Sequence, residues 1–179
     1  MRSILSFVLL ICFFISKGQT YKPSAQSSSV KFAIKMLGSE VVGTISGLDG
    51  TIKFDPNALS TSSMEVKVDV ASINTGVEMR DEHLRKEEFF NVSQYPAIQF
   101  ISSKIVKANR KNTWFVYGTL KIKGFSREVS FPFTAITTDS GYWLNGQFRI
   151  NRRDYNVGES SMTLSDNVVI TLNVKIEKS

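Results

Sequence analysis

Apolar residues recur at every second position through most of this chain, and a period of two commits each such run to a strand with one buried face. In "SVKFAIKM", Val30, Phe32, Ile34 and Met36 share one face while Lys31 and Lys35 take the other. In "MEVKVDV", Met64, Val66, Val68 and Val70 alternate with Glu65, Lys67 and Asp69. The habit continues at Trp114, Val116, Gly118, Leu120 and Ile122, and at Val129, Phe131, Phe133 and Ala135. It closes with Tyr142, Leu144, Gly146, Phe148 and Ile150, then Val168, Ile170, Leu172, Val174 and Ile176. Several of these runs exceed the usual strand length of about five or six residues.

Turn signals separate the runs: "SGLDG" (46–50), "DPNALS" (55–60), "KANRKN" (107–112), "KGFSRE" (123–128) and "TTDSG" (137–141). Connections this short make neighbouring strands antiparallel, and the crossover helices that parallel strands need are missing from the pattern. The expected fold is all-β: about eight strands and one short helix inserted near residues 78–90. Closure into an extended antiparallel up-and-down barrel removes the sheet edges; a β-sandwich is the alternative. Eight strands enclose an interior that side chains can fill or that holds one small ligand. Gly43, Gly118 and Gly146 fall inside strand runs, where corners of a strongly coiled barrel explain them better than close approach of a ligand.

The first 18 residues read differently. Met1-Arg2-Ser3 is a short basic start, Ile4 to Ile15 is an almost unbroken apolar run, and Ser16-Lys17-Gly18 offers small residues to a signal peptidase. The expectation is a secretory signal peptide over 1–18 and a single domain over 19–179, periplasmic or secreted, since the apolar run is well short of the ~20 residues of a membrane span. Cys12 is the sole cysteine and lies in that leader, with bulky Ile11 before it, a poor fit to lipidation; a mature chain would carry no thiol for disulfides, thiolate metal sites or nucleophilic catalysis. Losing Arg2 and Lys17 takes the formal net charge from +6 to +4. With no block of five like charges, this is an ordinary basic surface, and no nucleic-acid partner is expected.

The alternation breaks at "VEMRDEHLRKEEFF" (77–90), a run of helix formers that holds His83, the chain's single histidine. "NVSQYP" stops it, because the residue before proline disfavours helix. On a continuous helix His83 would sit beside Glu87 at i, i+4. A metal site needs three or four ligands, and with no further His or Cys the inventory is too poor, so no metal is expected. A catalytic triad lacks its nucleophile elbow, and four acids with three bases over nine residues read as a mutually neutralised face; no catalytic residue is assigned. Packing explains more: a helix across one barrel end, with Leu84, Phe89 and Phe90 turned inward and Arg80, Asp81 and His83 satisfying backbone groups at the rim.

Across nearly the whole mature chain the sequence resembles the YceI-like family. The resemblance rests on "SSVKFAIK" (28–35), "GTISGLDGTIKFDP" (43–56), "VDVASINTG" (68–76), "RDEHL" (80–84), "FFNVSQYPAIQFIS" (89–102), "GTLKIKGFSREV" (118–129) and "INRRDYNVG" (150–158). Two departures stand out. Met36 lies near where many members carry a histidine, so a two-histidine site is not expected; Tyr155-Asn156 replaces a common Phe-Gly, which leaves the fold expectation intact. The resemblance implies a lipocalin-like barrel that binds a long-chain amphiphile: a polyisoprenoid, a quinone-like lipid or a fatty amide. It implies no cofactor beyond such a non-covalently held lipid. Transient membrane contact is compatible with it, and the oligomeric state, a homodimer included, stays open.

The inward residues expected to line such a cavity are Phe32, Ile34, Val66, Val68, Phe100, Val116, Leu120, Phe131, Phe133, Phe148 and Leu172. The same set would equally make a filled core. At the barrel end, Arg80, Arg152 or Arg153 would meet a phosphate or carbonyl headgroup. The function expected is a noncatalytic binding or transport protein; the alternatives are an enzyme or redox partner that uses His83 in proton transfer, and a scaffold whose filled barrel binds nothing.

Overall fold

The computed structural model describes residues 19–179, so the expected leader lies outside the described residues. Ten strand segments form: β1 (Thr20–Pro23), β2 (Ser29–Met36), β3 (Ser39–Ile45), β4 (Asp49–Lys53), β5 (Ser63–Asp69), β6 (Ala97–Lys107), β7 (Thr113–Ile122), β8 (Phe125–Thr137), β9 (Gly141–Asn151) and β10 (Leu164–Lys178). Among the described residues a single α-helix, α1 (Glu78–Arg85), joins β5 to β6, and 3-10 turns occupy Leu59–Thr61, Val70–Ser72 and Arg152–Tyr155.

All strand pairings are antiparallel, and β1, β4, β5, β6, β7, β8, β9 and β10 close a ring of eight through a β1–β10 pairing. This is the expected eight-stranded up-and-down barrel, with ten segments in eight places. β1 and β2 both pair with β10, at Ile176–Lys178 and at Leu164–Asn173, so they are one strand broken by residues 24–28. β3, paired with β2, and β4, paired with β1, are likewise one broken strand, since they run in the same direction and do not pair with each other. The "SGLDG" signal is therefore a kink within a strand, not a reversal. Gly50 makes it possible: its φ is +140°, and a Cβ there would fall 2.1 Å from the Glu65 carbonyl oxygen on β5. True reversals occur at Leu37-Gly38 and Lys123-Gly124, where both central residues have positive φ, as two-residue hairpin turns require.

The interior is packed solid at one end. Phe54, 2% exposed, sits edge-on to Trp114, Phe133 and Tyr142 at centroid distances of 5.1, 5.6 and 5.3 Å. Val116 and Ile176 complete this base with no exposed surface. Each such fully buried side chain stabilises the fold by about 1.5–3 kcal/mol, before the entropy of ordering it is subtracted.

The helix is shorter than the sequence suggests. It ends at Arg85, with Lys86 extended and turns running to Pro96. Phe90 N–H donates back to the Leu84 carbonyl and Asn91, at φ 49°, to that of Lys86. Adjacent Phe89 and Phe90 would point about 100° apart on a continuing helix; folding the chain back lets both face the barrel. The early end also re-pairs His83, whose Nε2 lies 3.3 Å from Glu88 Oε1 and not beside Glu87.

Candidate ligand cavity

Burial of the inward residues falls toward the helix end on β10 and over the second half of β9. On β10 the inward set runs Ile176 and Val174, both buried, then Leu172, Ile170 and Val168, all half-buried. On β9, Leu144 is buried while Phe148 and Ile150 are not. These residues face inward yet keep accessible surface, which means that they face a space.

That space is a lumen in two chambers. The upper one, next to α1, has a volume of about 510 Å³, inside the range usual for small-molecule sites. Its walls include Phe32, Ile34, Met36 and Val41 from the β2–β3 hairpin, Leu84, Phe89 and Phe90 from the helical segment, and Leu164, Val168 and Ile170 from β10. The lower one, about 130 Å³, is lined by Val66, Val68, Phe100, Leu120, Phe131, Phe148 and Leu172 among others. Phe32, Ile45, Ile98, Ile122, Ile150 and Ile170 line both, and this shared ring, the neck, is where the two chambers adjoin. Below the lower chamber the phenyl rings of Phe131 and Phe148 stack at 4.3 Å and 11°, with Phe100 at 5.6 Å from Phe131, above the packed base.

Of the eleven residues expected as lining, Phe32, Ile34, Val66, Val68, Phe100, Leu120, Phe131, Phe148 and Leu172 reach one chamber or the other. Val116 and Phe133 do not: at 0% and 4% exposure they belong to the packed base. Alternation reports which face of a strand is buried, not how far along the barrel axis a residue lies. Depth is equally unreadable for Met36, Ile122, Ile150 and Ile170, which sit on the same alternating runs.

Two strand glycines each lie beneath the end of an aromatic ring. Phe32 lies opposite Gly43 across the β2–β3 ladder, and a Cβ at Gly43 would meet the Phe32 ring at 2.3, 2.6 and 2.9 Å. A Cβ at Gly118 would meet the ring of Phe100 at 2.8 Å and the Ile101 carbonyl oxygen at 2.4 Å. In each case the far end of the ring occupies the space a Cβ would take, which only glycine leaves free.

The upper chamber reaches the surface beside α1, where the lining residues Val77 and Met79 are 48% and 80% exposed. At this rim, buried Asp81 accepts from the Thr75 N–H at 2.9 Å and the Thr75 hydroxyl at 2.5 Å. Arg80 answers from the other side: Nε donates to Thr75 Oγ1 at 2.7 Å and Nη2 to the Thr75 carbonyl at 2.9 Å. The buried carboxylate and the guanidinium are thus bridged by one threonine, and Nη1 of Arg80 has no protein partner among the described residues. Arg80 and Asp81 satisfy backbone groups as expected of the rim; so does Arg85, by donating to the carbonyls of Ala71 and Ile73.

His83 lines the upper chamber but satisfies no backbone group, contrary to expectation. Its ring meets Phe89 edge-on at 5.0 Å and its Nε2 faces Glu88 in a pair more than half exposed on both sides. Arg152 also touches the chamber, with its donors already committed. Nε donates to the Ser165 carbonyl at 3.0 Å, Nη1 to that of Val157 at 2.8 Å, and Nη2 to that of Glu159 at 2.8 Å and to Asp166 Oδ1 at 2.9 Å. Arg153 is exposed and lines neither chamber. Of the three arginines considered for a headgroup, only Arg80 combines a place on the cavity wall with an unpaired guanidinium nitrogen.

An eight-stranded antiparallel barrel with a packed base and an apolar two-chamber lumen under a short helix is a barrel of the lipocalin-like kind. The chain belongs to the YceI-like family: the model of the YceI-like domain matches residues 21–176. It is 28% identical over 140 residues to a UPF0312 protein of Shewanella denitrificans, covering 78% of this chain and 70% of that one. Among solved structures it resembles BcnA of Burkholderia cenocepacia, with a TM-score of 0.81 and 27% identity over 85% of this chain and 98% of the other. A polyisoprenoid-binding domain from Saccharophagus degradans, implicated in plant cell wall breakdown, shares the fold with a TM-score of 0.72 at 15% identity, over 90% and 99% of the two chains.

Proposed function

We propose that the mature chain, exported by cleavage of residues 1–18, is a noncatalytic carrier of one long-chain amphiphile of the isoprenoid type. The observation that carries this reading is the lumen: two adjoining chambers of about 510 and 130 Å³ with apolar walls, and one under-bonded arginine where the larger reaches the surface. The polyisoprenoid-binding description of the Saccharophagus domain, which has this fold, supports the choice of ligand class.

A hydrocarbon chain fits because burial of each methylene contributes about 0.8 kcal/mol and asks nothing of wall polarity. The polar head lies at the rim, where Nη1 of Arg80 donates to a phosphate or carbonyl oxygen. Arg152 holds the loop from Val157 to Asp166 and does not read the head.

Titration of the purified mature protein with a prenyl phosphate and the corresponding prenyl alcohol tests this. Arg80→Gln should weaken the phosphate by about tenfold, as loss of one charged hydrogen bond does, and the alcohol much less. Equal affinities for both heads in wild-type and variant would remove Arg80 from head recognition.

A further inference from the structure

The neck between the chambers is a made feature, and Phe32 on Gly43 makes it. Of the six residues shared by the chambers, five are Ile45, Ile98, Ile122, Ile150 and Ile170, all branched aliphatics that fill the ring of the wall. Phe32 is the sixth and the largest, and its ring stands off the lumen because its partner across the ladder has no side chain. The atoms nearest to a Cβ at position 43 are Cζ, Cε1 and Cε2, the far end of that ring. A methyl group there would not clash with backbone; it would lift the ring away from the wall and into the neck.

Below the neck the lower chamber has apolar walls. Lys67 is the one charged residue on its lining, and its ammonium points out to Asp49 at 3.7 Å, with the side chain 54% exposed. The stacked pair Phe131 and Phe148 bounds it. A pocket with no polar partner to offer accepts the terminal segment of a hydrocarbon chain and rejects any head group.

We propose that the lower chamber is a tail-end subsite and that Phe32, held down on Gly43, is the neck that admits a chain to it, so that the protein selects its ligand by chain length. Short chains end in the upper chamber. Chains long enough to pass Phe32 gain the lower chamber's burial as well, and chains that reach Phe131 and Phe148 gain nothing from further methylenes. This rests on the carrier reading above and says which members of the ligand class the lumen favours.

The test is a series of saturated straight-chain fatty acids of increasing length, titrated into the mature wild-type protein and into Gly43→Ala. In wild type, affinity should rise by up to about fourfold per methylene and then level off at one length. In Gly43→Ala the levelling should come several carbons earlier, so that the longest chains bind at least tenfold more weakly than to wild type while the shortest change by less than threefold. Phe32→Leu and the double variant Gly43→Ala/Phe32→Leu guard against a folding defect, because the smaller side chain reopens the neck and should restore long-chain binding. Equal weakening of short and long chains in a folded Gly43→Ala, or an unchanged cut-off, would overturn the neck and leave the carrier standing. A wild-type protein that binds no chain of any length would overturn both.

Discussion

The guanidinium of Arg152 is buried at 4% side-chain exposure while its partner Asp166, 2.9 Å away, keeps 42% of its side chain in water. Burial pushes the Arg152 pKa down and Asp166 pulls it back up, and an arginine so placed stays charged. Its other bonds go to four carbonyls of the segment that follows the last 3-10 turn, those of Val157, Glu159, Leu164 and Ser165, so one side chain fixes the loop beside the upper chamber.

Arg152→Met should therefore cost about 2–4 kcal/mol, because it strands those carbonyls, and not because it loses a surface ion pair. In a domain of this size that lowers the thermal midpoint by roughly 5–15 °C. A shift below 2 °C in a thermal melt would show that the loop holds itself.

Tyr155, 1% exposed, has its hydroxyl pushed up to about 12, by burial first and by Asp154 second. The folded pKa lies above the unfolded value near 10, so this group's contribution is complete below pH 10 and is lost as pH rises from about 10 to 12. Urea unfolding measured across that window should show stability falling by roughly 2–3 kcal/mol more in wild type than in Tyr155→Phe. Parallel curves for the two would contradict it.

The two ends of the interior should respond differently to truncation. Phe133→Ala empties a packed site and should cost about 3–5 kcal/mol. Phe148→Ala should cost at least about 1 kcal/mol less, since Phe148 already borders the lower chamber. Equal losses in urea midpoints would mean that the lumen is not hollow in solution.

His83→Ala should leave stability within about 1 kcal/mol of wild type, as expected for an exposed pair with Glu88 and an edge contact to Phe89. Ligand retention should be unchanged. Loss of bound lipid in a folded His83→Ala protein would give the histidine a role in binding or proton transfer.

What the sequence made legible follows from what a period of two encodes. It names the buried face of each strand, and nine of the eleven expected lining residues do reach the lumen. It carries no depth coordinate, so Val116 and Phe133 in the packed base look the same as Leu120 and Phe131, four and two residues away. Cross-strand neighbours are equally invisible within one strand. That Gly43 seats Phe32 requires the β2–β3 register, and without it an isolated strand glycine reads as a corner. Turn composition at "SGLDG" marks a break but not whether the chain reverses there. Helical spacing pairs His83 with Glu87, whereas the end of α1 at Arg85 brings it to Glu88.

Extraction of natively purified mature protein with organic solvent, followed by mass spectrometry, reads the lumen's contents directly. One long-chain amphiphile per protein chain, with an isoprenoid-type or similarly extended hydrocarbon tail, is the expected result. A barrel that comes out empty, and that also refuses added polyprenyl lipids, would contradict a carrier function.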